Sequence, residues 1–243
     1  EFLDGQEVSL FFLSDGKNVL PLTPAQDFKR AQDGDAGPNT GGMGAYSPLP
    51  WLPAGFIDEV ARDVALPTIQ ELDRLGAPFI GLLYCGLIVT ERGIRVIEFN
   101  ARFGDPETQV VLRRLTSPLS TLLYKAATGH LETAPDPQFT KDVAITVVLA
   151  SEGYPETSAP NRPIHGLGEA EKVEGVEIAH AATAWAENKD GEESLVATGG
   201  RVLSVIALGD DFHQARKRAY EAIDKIHLQG SHYRKDIAKK VAN

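Results

Sequence analysis

The stretch that most constrains this chain is Val96-Ile97-Glu98-Phe99-Asn100-Ala101-Arg102-Phe103-Gly104-Asp105-Pro106-Glu107, which begins as a strand and ends as a polar turn. Side chains alternate faces along a strand. Glu98 and Asn100 therefore share one face, which Arg102 joins if the strand runs that far. Ile97 and Phe99 are expected to point the other way, into a core. Glu98 and Asn100 offer hard oxygen ligands of the kind Mg²⁺ takes, and Arg102 can fork onto phosphate or carboxylate oxygens. Such a face suits a metal-bound polyphosphate. The same spacing also describes a strand end whose polar side chains simply face water, and spacing alone does not choose.

Lys and Arg number 24 against 34 Asp and Glu, a net charge of −10. That balance argues against nonspecific binding to nucleic acid or anionic lipid, but not against ATP, whose phosphates local cations can neutralise. The longest apolar run, Ile80 to Val89, is too short to span a bilayer and reads as a buried strand. Cys85 is the single cysteine, so no intrachain disulfide can form; its apolar neighbours mark it as a small core residue. The six histidines are dispersed without zinc-type spacing. With no targeting motif visible, a reducing cytoplasm is the expected compartment.

The 243 residues read as α+β. Val8 to Leu13 and Val19 to Leu22 form a hairpin around Ser14-Asp15-Gly16-Lys17. A long polar loop follows from Thr23 to Pro50. A helix is expected over about Pro53 to Leu75, with Phe56, Val60, Val64, Ile69 and Leu72 as its apolar stripe and Pro67 dividing or kinking it. Strands Phe79 to Thr90 and Ile94 to Asn100 flank the turn Glu91-Arg92-Gly93, and a helix runs from about Pro106 to Ala127, with Gly129 as its stop. Residues 131–141 read as a linker between a first domain, 1–130, and a second, 142–243. The second opens on Val143 to Ala150, continues with strands at Glu177 to Trp185 and Val202 to Leu208, and closes with a helix from about Asp211 to Ile226. The chain opens on Glu1-Phe2-Leu3-Asp4-Gly5 without an initiator Met, so a fragment or processed product is expected.

Gly37-Pro38-Asn39-Thr40-Gly41-Gly42-Met43-Gly44-Ala45-Tyr46 is the second signal. Its glycines would let backbone N–H groups approach an anion, although a surface loop has similar composition. It is neither a P-loop nor a Rossmann fingerprint. Asp27-Phe28-Lys29-Arg30 places charges beside it, and Glu7 could accept from ribose hydroxyls; each also fits a solvated surface. Gly199-Gly200-Arg201-Val202 leads into a strand, with Arg201 either facing a cleft or lying exposed on a hairpin. Ile164-His165-Gly166-Leu167 is equally open.

Taken in order, Glu1 to Glu7, Gln26 to Arg30, Gly37 to Tyr46, Glu98 to Gln109 and Gly199 to Val202 make the chain resemble the glycinamide ribonucleotide synthetases (phosphoribosylamine–glycine ligases) of the ATP-grasp superfamily. The resemblance runs from end to end. It implies the second half of an ATP-grasp domain followed by a small mixed β-rich carboxy-terminal domain. It implies ATP-dependent ligation of glycine to 5-phosphoribosylamine through glycyl phosphate, in de novo purine synthesis. By resemblance, Glu98 and Asn100 hold Mg²⁺ or Mn²⁺, Glu7 contacts the nucleotide ribose, and Phe2 and Leu3 form the adenine hinge. Arg102 balances charge on the transferred phosphate. Asp27, Lys29, Gly41, Gly42, Met43, Gly44 and Asp105 surround the acceptor substrates, with Arg102, Asp105 and Lys29 taken as catalytic.

Two departures follow from the same resemblance. Many ATP-grasp enzymes add an acidic metal ligand from the preceding strand, and here Leu83-Tyr84-Cys85-Gly86-Leu87 offers none. The family's amino-terminal portion is missing, so the 243 residues alone are expected not to turn over and to need that portion as partner. Two other readings compete: an ATP-grasp carboxylase of the biotin-carboxylase type, which the Gly37 to Tyr46 loop fits less well, and a non-catalytic ATP-grasp interaction module.

Overall fold

A computed structural model of the chain describes residues 1–187, 191 and 193–242. Its strands are β1 (Gln6–Asp15), β2 (Val19–Pro21), β3 (Gln26–Asp27), β4 (Arg30–Gln32), β5 (Ala36–Asn39), β6 (Gly44–Ser47), β7 (Ile80–Thr90), β8 (Gly93–Asn100), β9 (Val143–Ala150), β10 (Arg162–Pro163), β11 (Val176–His180), β12 (Thr183–Glu187), β13 (Glu193–Ala197) and β14 (Arg201–Gly209). Its helices are α1 (Phe56–Val60), α2 (Leu66–Arg74), α3 (Glu107–Arg114), α4 (Leu119–Ala127), α5 (Leu167–Ala170) and α6 (Phe212–Ile223). The class is α+β, as expected. Two compact units interleave in sequence: Glu1–Gln26 with Ser47–Lys141, and Asp27–Tyr46 with Asp142–Asn243. The boundary between Lys141 and Asp142 is also that of the division 1–130, 131–141, 142–243, while residues 27–46 cluster with the second unit.

The first unit rests on an antiparallel sheet in the order β2-β1-β7-β8. β1 is buried from Val8 to Asp15 on both faces, which explains its nearly continuous apolar run. The helical segment after Phe56 is not divided at Pro67. A π-turn, Ala61–Ala65, links α1 to α2 without a break, and Pro67, which has no N–H to donate to the preceding turn, follows it directly. The π-turn inserts one residue, so the buried stripe runs Phe56, Val60, Ala65, Ile69 and leaves Val64 at the margin.

The helix expected over Pro106 to Ala127 is two helices. Leu115 leaves helical backbone, and Pro118 caps α4. Segment 131–141 packs on the first unit. Leu131 is buried, its N–H donates to Asp15 Oδ2 at 3.1 Å, and Thr140 N–H donates to the Arg114 carbonyl at 2.8 Å. Burial pushes the Asp15 carboxyl up, but donors from Asn18, Lys17 and Leu131 outweigh it and hold the group below its ordinary value.

The core expectation for Ile97 and Phe99 is overturned: Val96, Ile97 and Phe99 are 40%, 43% and 41% exposed. β8 is an edge strand, and α2 covers its apolar face incompletely. A groove of 460 Å³ remains there, lined in part by Val64, Pro67, Leu72, Val96 and Phe99. Cys85 is fully buried as expected, and burial pushes its thiol up to about 12.

The second unit is built on a sheet ordered β11-β14-β9-β6-β3, with β10-β13-β12 and β4-β5 as smaller sheets. β9 is buried throughout and α6 lies over it and β14, burying Phe212, Ala215, Ala219, Ala222 and Ile223. Asp211 caps α6 by accepting from Gln214 N–H at 2.7 Å. The strand expected over Glu177 to Trp185 breaks at Ala181–Ala182 into β11 and β12, which enter different sheets. The stretch between Trp185 and Val202, expected as turn residues, carries β13; residues 188–190 and 192 within it lie outside the described residues. The supposed loop from Thr23 to Pro50 carries four short strands, β3 to β6.

Candidate active site

Register fixes one face of the first sheet. Glu7 pairs with Ile88 and Ile88 with Arg95; Ser9 pairs with Gly86 and Gly86 with Glu98; Phe11 pairs with Tyr84 and Tyr84 with Asn100. Cross-strand partners share a face, so these are three rows of one surface. Glu98 and Asn100 are therefore neighbours on this face of β8, and Glu7 shares the face from β1, two strands away.

Arg95 joins them because β8 bulges. Gly86 opposes Glu98 while Leu87 opposes Val96, leaving Ile97 as the extra residue. The bulge reverses parity: Val96 moves to the apolar face beside Leu87, and Arg95 moves to the polar one. Unbroken alternation would have put Arg95 with the apolar set, so the sequence reading missed it.

Gly86 shapes the middle row. A Cβ there would lie 3.0 Å from Glu98 Cγ and 3.3 Å from the Tyr84 ring, so the Glu98 side chain leans over a position that has to be bare. Beside it, Ser9 Oγ and Tyr84 Oη each donate to Glu107 Oε1 at 2.8 Å. Glu107 is 3% exposed, and its Oε2 would be 2.6 Å from a Cβ at Gly104. This buried carboxylate ties β1 and β7 to the start of α3 and to the turn after β8. Sequence reasoning placed Glu107 in a motif but assigned it no role, because its partners are 98 and 23 residues away. In that turn Arg102 is exposed and donates to the Phe103 carbonyl at 3.0 Å. Asp105 is exposed and accepts from Gln109 Nε2 at 3.2 Å.

A cleft of 540 Å³ adjoins the first row, lined by residues 1–6, Val89, Thr90, Glu91, Arg92 and Arg95. Phe2 and Leu3 are in its wall, and Phe2 is 91% exposed. Val89 is three residues from Gly86 along β7, about 10 Å at the rise of an extended strand.

Among the described residues no group of three or more His, Cys, Asp or Glu side chains is gathered to hold a metal. Glu98 and Asn100 supply two hard oxygens on an open face. A cation held there would complete its shell with water and substrate oxygens, as Mg²⁺ characteristically does. The residues fit such an ion.

The remaining candidates lie in the second unit. Asp27 and Lys29 are half-buried. Thr40 donates to the Lys29 carbonyl through its N–H at 2.7 Å and through its hydroxyl at 2.9 Å. The Gly41 N–H donates to Tyr154 Oη at 2.9 Å, the Gly42 N–H to Thr40 Oγ1 at 3.0 Å, and the Met43 N–H to the Phe28 carbonyl at 2.8 Å. Four successive amides are thus committed inside the unit, and the loop is not the open amide nest that its composition suggested. Met43 is fully buried, and its carbonyl accepts from Val148 N–H at 3.0 Å. Its role here is to anchor the loop. Gly44 sits at φ +159°, and a Cβ there would be 2.6 Å from the Thr146 carbonyl.

The sequence model described as the ATP-grasp (A) domain of phosphoribosylglycinamide synthetase matches residues 1–108, and that of the C domain of the same synthetase matches residues 144–240. A phosphoribosylamine–glycine ligase of Leifsonia xyli subsp. xyli is 65% identical over 99% of this chain and 57% of its own length. The crystal structure of phosphoribosylamine–glycine ligase from Thermotoga maritima aligns with a TM-score of 0.83 at 33% identity, over 97% of this chain and 56% of that one. The biotin carboxylase domain of a Hydrogenobacter thermophilus 2-oxoglutarate carboxylase reaches 0.62 at 14% identity, over 96% and 48%, which shows a shared fold alone. The chain spans little more than half the length of the relatives it matches. Two domain models in tandem, and high identity along nearly the whole chain, establish that it belongs to the phosphoribosylglycinamide synthetase family.

Proposed function

We propose that the protein ligates glycine to 5-phosphoribosylamine with ATP, giving glycinamide ribonucleotide, ADP and phosphate in de novo purine synthesis in the cytoplasm. The observation that carries this reading is the polar face on which Glu7, Glu98 and Asn100 stand in successive rows beside the Phe2–Leu3 cleft. Phe2 and Leu3 would present backbone groups to the adenine, Glu7 would accept from ribose hydroxyls, and Arg95 extends the same wall. Glu98 and Asn100 would hold Mg²⁺ or Mn²⁺; the Hydrogenobacter domain that shares the fold was crystallised with MgADP. When bound, the cation neutralises polyphosphate charge.

In the first step a glycine carboxylate oxygen attacks the γ-phosphorus and the bond to ADP breaks. Arg102, in reach of solvent at the end of β8, offers its guanidinium to the phosphoryl oxygens. In the second, the phosphoribosylamine nitrogen attacks the acyl carbon, loses a proton, and phosphate leaves. Asp27, Lys29, Asp105 and the Gly41 to Gly44 loop would seat these acceptors. Chemistry of this kind depends mainly on positioning and charge.

The test is ADP release by the full-length protein supplied with glycine and phosphoribosylamine. Glu98→Gln should lower turnover by about 100-fold or more, the scale for losing an electrostatic stabiliser, with circular dichroism unchanged. Full activity at limiting Mg²⁺ would remove the metal assignment. ADP release indifferent to both acceptors would remove the ligase reading.

A further inference from the structure

We propose that Tyr154 and Arg201 are positioning residues that preset the Gly41–Gly42 backbone as a seat for the acceptor substrates. What the loop binds rests on the ligase reading; how the loop is held does not. The Tyr154 hydroxyl accepts the Gly41 N–H at 2.9 Å, while Arg201 donates to the Gly41 carbonyl at 2.7 Å and to the Gly42 carbonyl at 3.5 Å. One residue is therefore gripped at both of its peptide groups, by side chains 113 and 160 positions away.

Three glycines make the grip sterically achievable. A Cβ at Gly41 would lie 3.0 Å from Arg201 Cζ, so the guanidinium lies against bare backbone. A Cβ at Gly200 would lie 2.3 Å from Tyr154 Cδ2, so the ring occupies the space that any other residue at 200 would fill. Gly42, at φ +110°, turns the chain between the two carbonyls that Arg201 reaches. The motif Gly199-Gly200-Arg201 and the loop Gly37 to Tyr46 are thus two halves of one device.

The consequence for recognition is physical. Since the amides of Thr40 to Met43 are committed, a substrate at this loop meets backbone that is already fixed. Thr40, locked by the same turn, holds the Lys29 carbonyl and with it the backbone that carries the Lys29 side chain. A seat that is already ordered avoids an entropic cost on binding.

The experiment compares Tyr154→Phe, Arg201→Lys and Gly200→Ala in the full-length protein, by hydrogen exchange of the 38–46 peptide and by steady-state kinetics. Tyr154→Phe keeps the ring and removes only the acceptor. Expected are exchange faster by about tenfold at 38–46, the factor for one lost hydrogen bond, and KM for the acceptor substrates raised about tenfold, with KM for ATP within about twofold. Unchanged exchange in Tyr154→Phe and Arg201→Lys overturns the grip. Faster exchange with all three KM values unmoved, or moved together, overturns the positioning role. Should Arg201→Lys fail to fold, Tyr154→Phe decides alone. Absence of ligase turnover in the unsubstituted protein overturns the functional reading and leaves hydrogen exchange to decide the grip.

Discussion

At Gly86 one absent methyl group governs the posture of Glu98. Placing Ala there pushes a Cβ to 3.0 Å from Glu98 Cγ, and the neighbour that has to yield is the carboxylate proposed to hold the metal. Gly86→Ala is expected to fold normally and to lose about 10- to 100-fold in turnover, as small misplacements of reacting groups do; raising Mg²⁺ should recover part of the loss in an ADP-release assay. Tyr84→Phe tests the neighbouring buried carboxylate. It removes one of the hydroxyls that donate to Glu107 and should cost about 1–2 kcal/mol in urea denaturation. At this scale the sequence was partly legible. Strand parity alone placed Glu98 and Asn100 together. Arg95 and Glu107 escaped it, one because a bulge shifts parity and the other because its partners are distant in sequence.

Two irregular elements carry much of the local logic, and both add a single residue. The π-turn at Ala61–Ala65 moves the buried stripe from Val64 to Ala65, and the bulge at Ile97 moves Arg95 onto the polar face of the sheet. Deleting Ile97 removes only the extra residue: Val96 still opposes Leu87 and Arg95 still opposes Ile88, so both are expected to keep their faces. The expected result is a urea-derived stability within about 1 kcal/mol of the parent, because no side chain changes face; a larger loss would mean that the bulge itself carries stability. Periodicity found the helices and strands themselves. It missed the break at Pro118, because the apolar residues on either side of it continue the helical spacing.

For the molecule as a whole, the second unit depends on Arg234. That side chain is 1% exposed, donates to Asp236 at 2.8 and 2.7 Å, to Asp35 at 2.9 Å and to the Arg30 carbonyl at 3.1 Å, and lies over the Phe28 ring at 4.9 Å. Burial pushes the Asp236 carboxyl up, but the Arg234 guanidinium and the Gly34 N–H more than offset that and hold it at about 2. A depressed carboxylate stabilises the fold fully above its unfolded value near 4, and the contribution fades as pH falls through 2. Asp236→Asn should cost about 2 kcal/mol at neutral pH and flatten the acid limb between pH 4 and 2, measured by urea titration across that range. No local pattern announces this unit, since it joins residues 27–46 to a segment some 200 positions away.

That separation has a temporal side. Asp35 leaves the ribosome 199 residues before Arg234. At a synthesis rate of about 5–20 residues per second, the glycine-rich segment waits roughly 10–40 s for the side chain that clamps it. Through that interval β4 and β5 have each other, but β6 has no β9 to join. The segment's polar, glycine-rich composition, which lets the loop turn tightly around Arg201 and Tyr154, also keeps a waiting segment soluble.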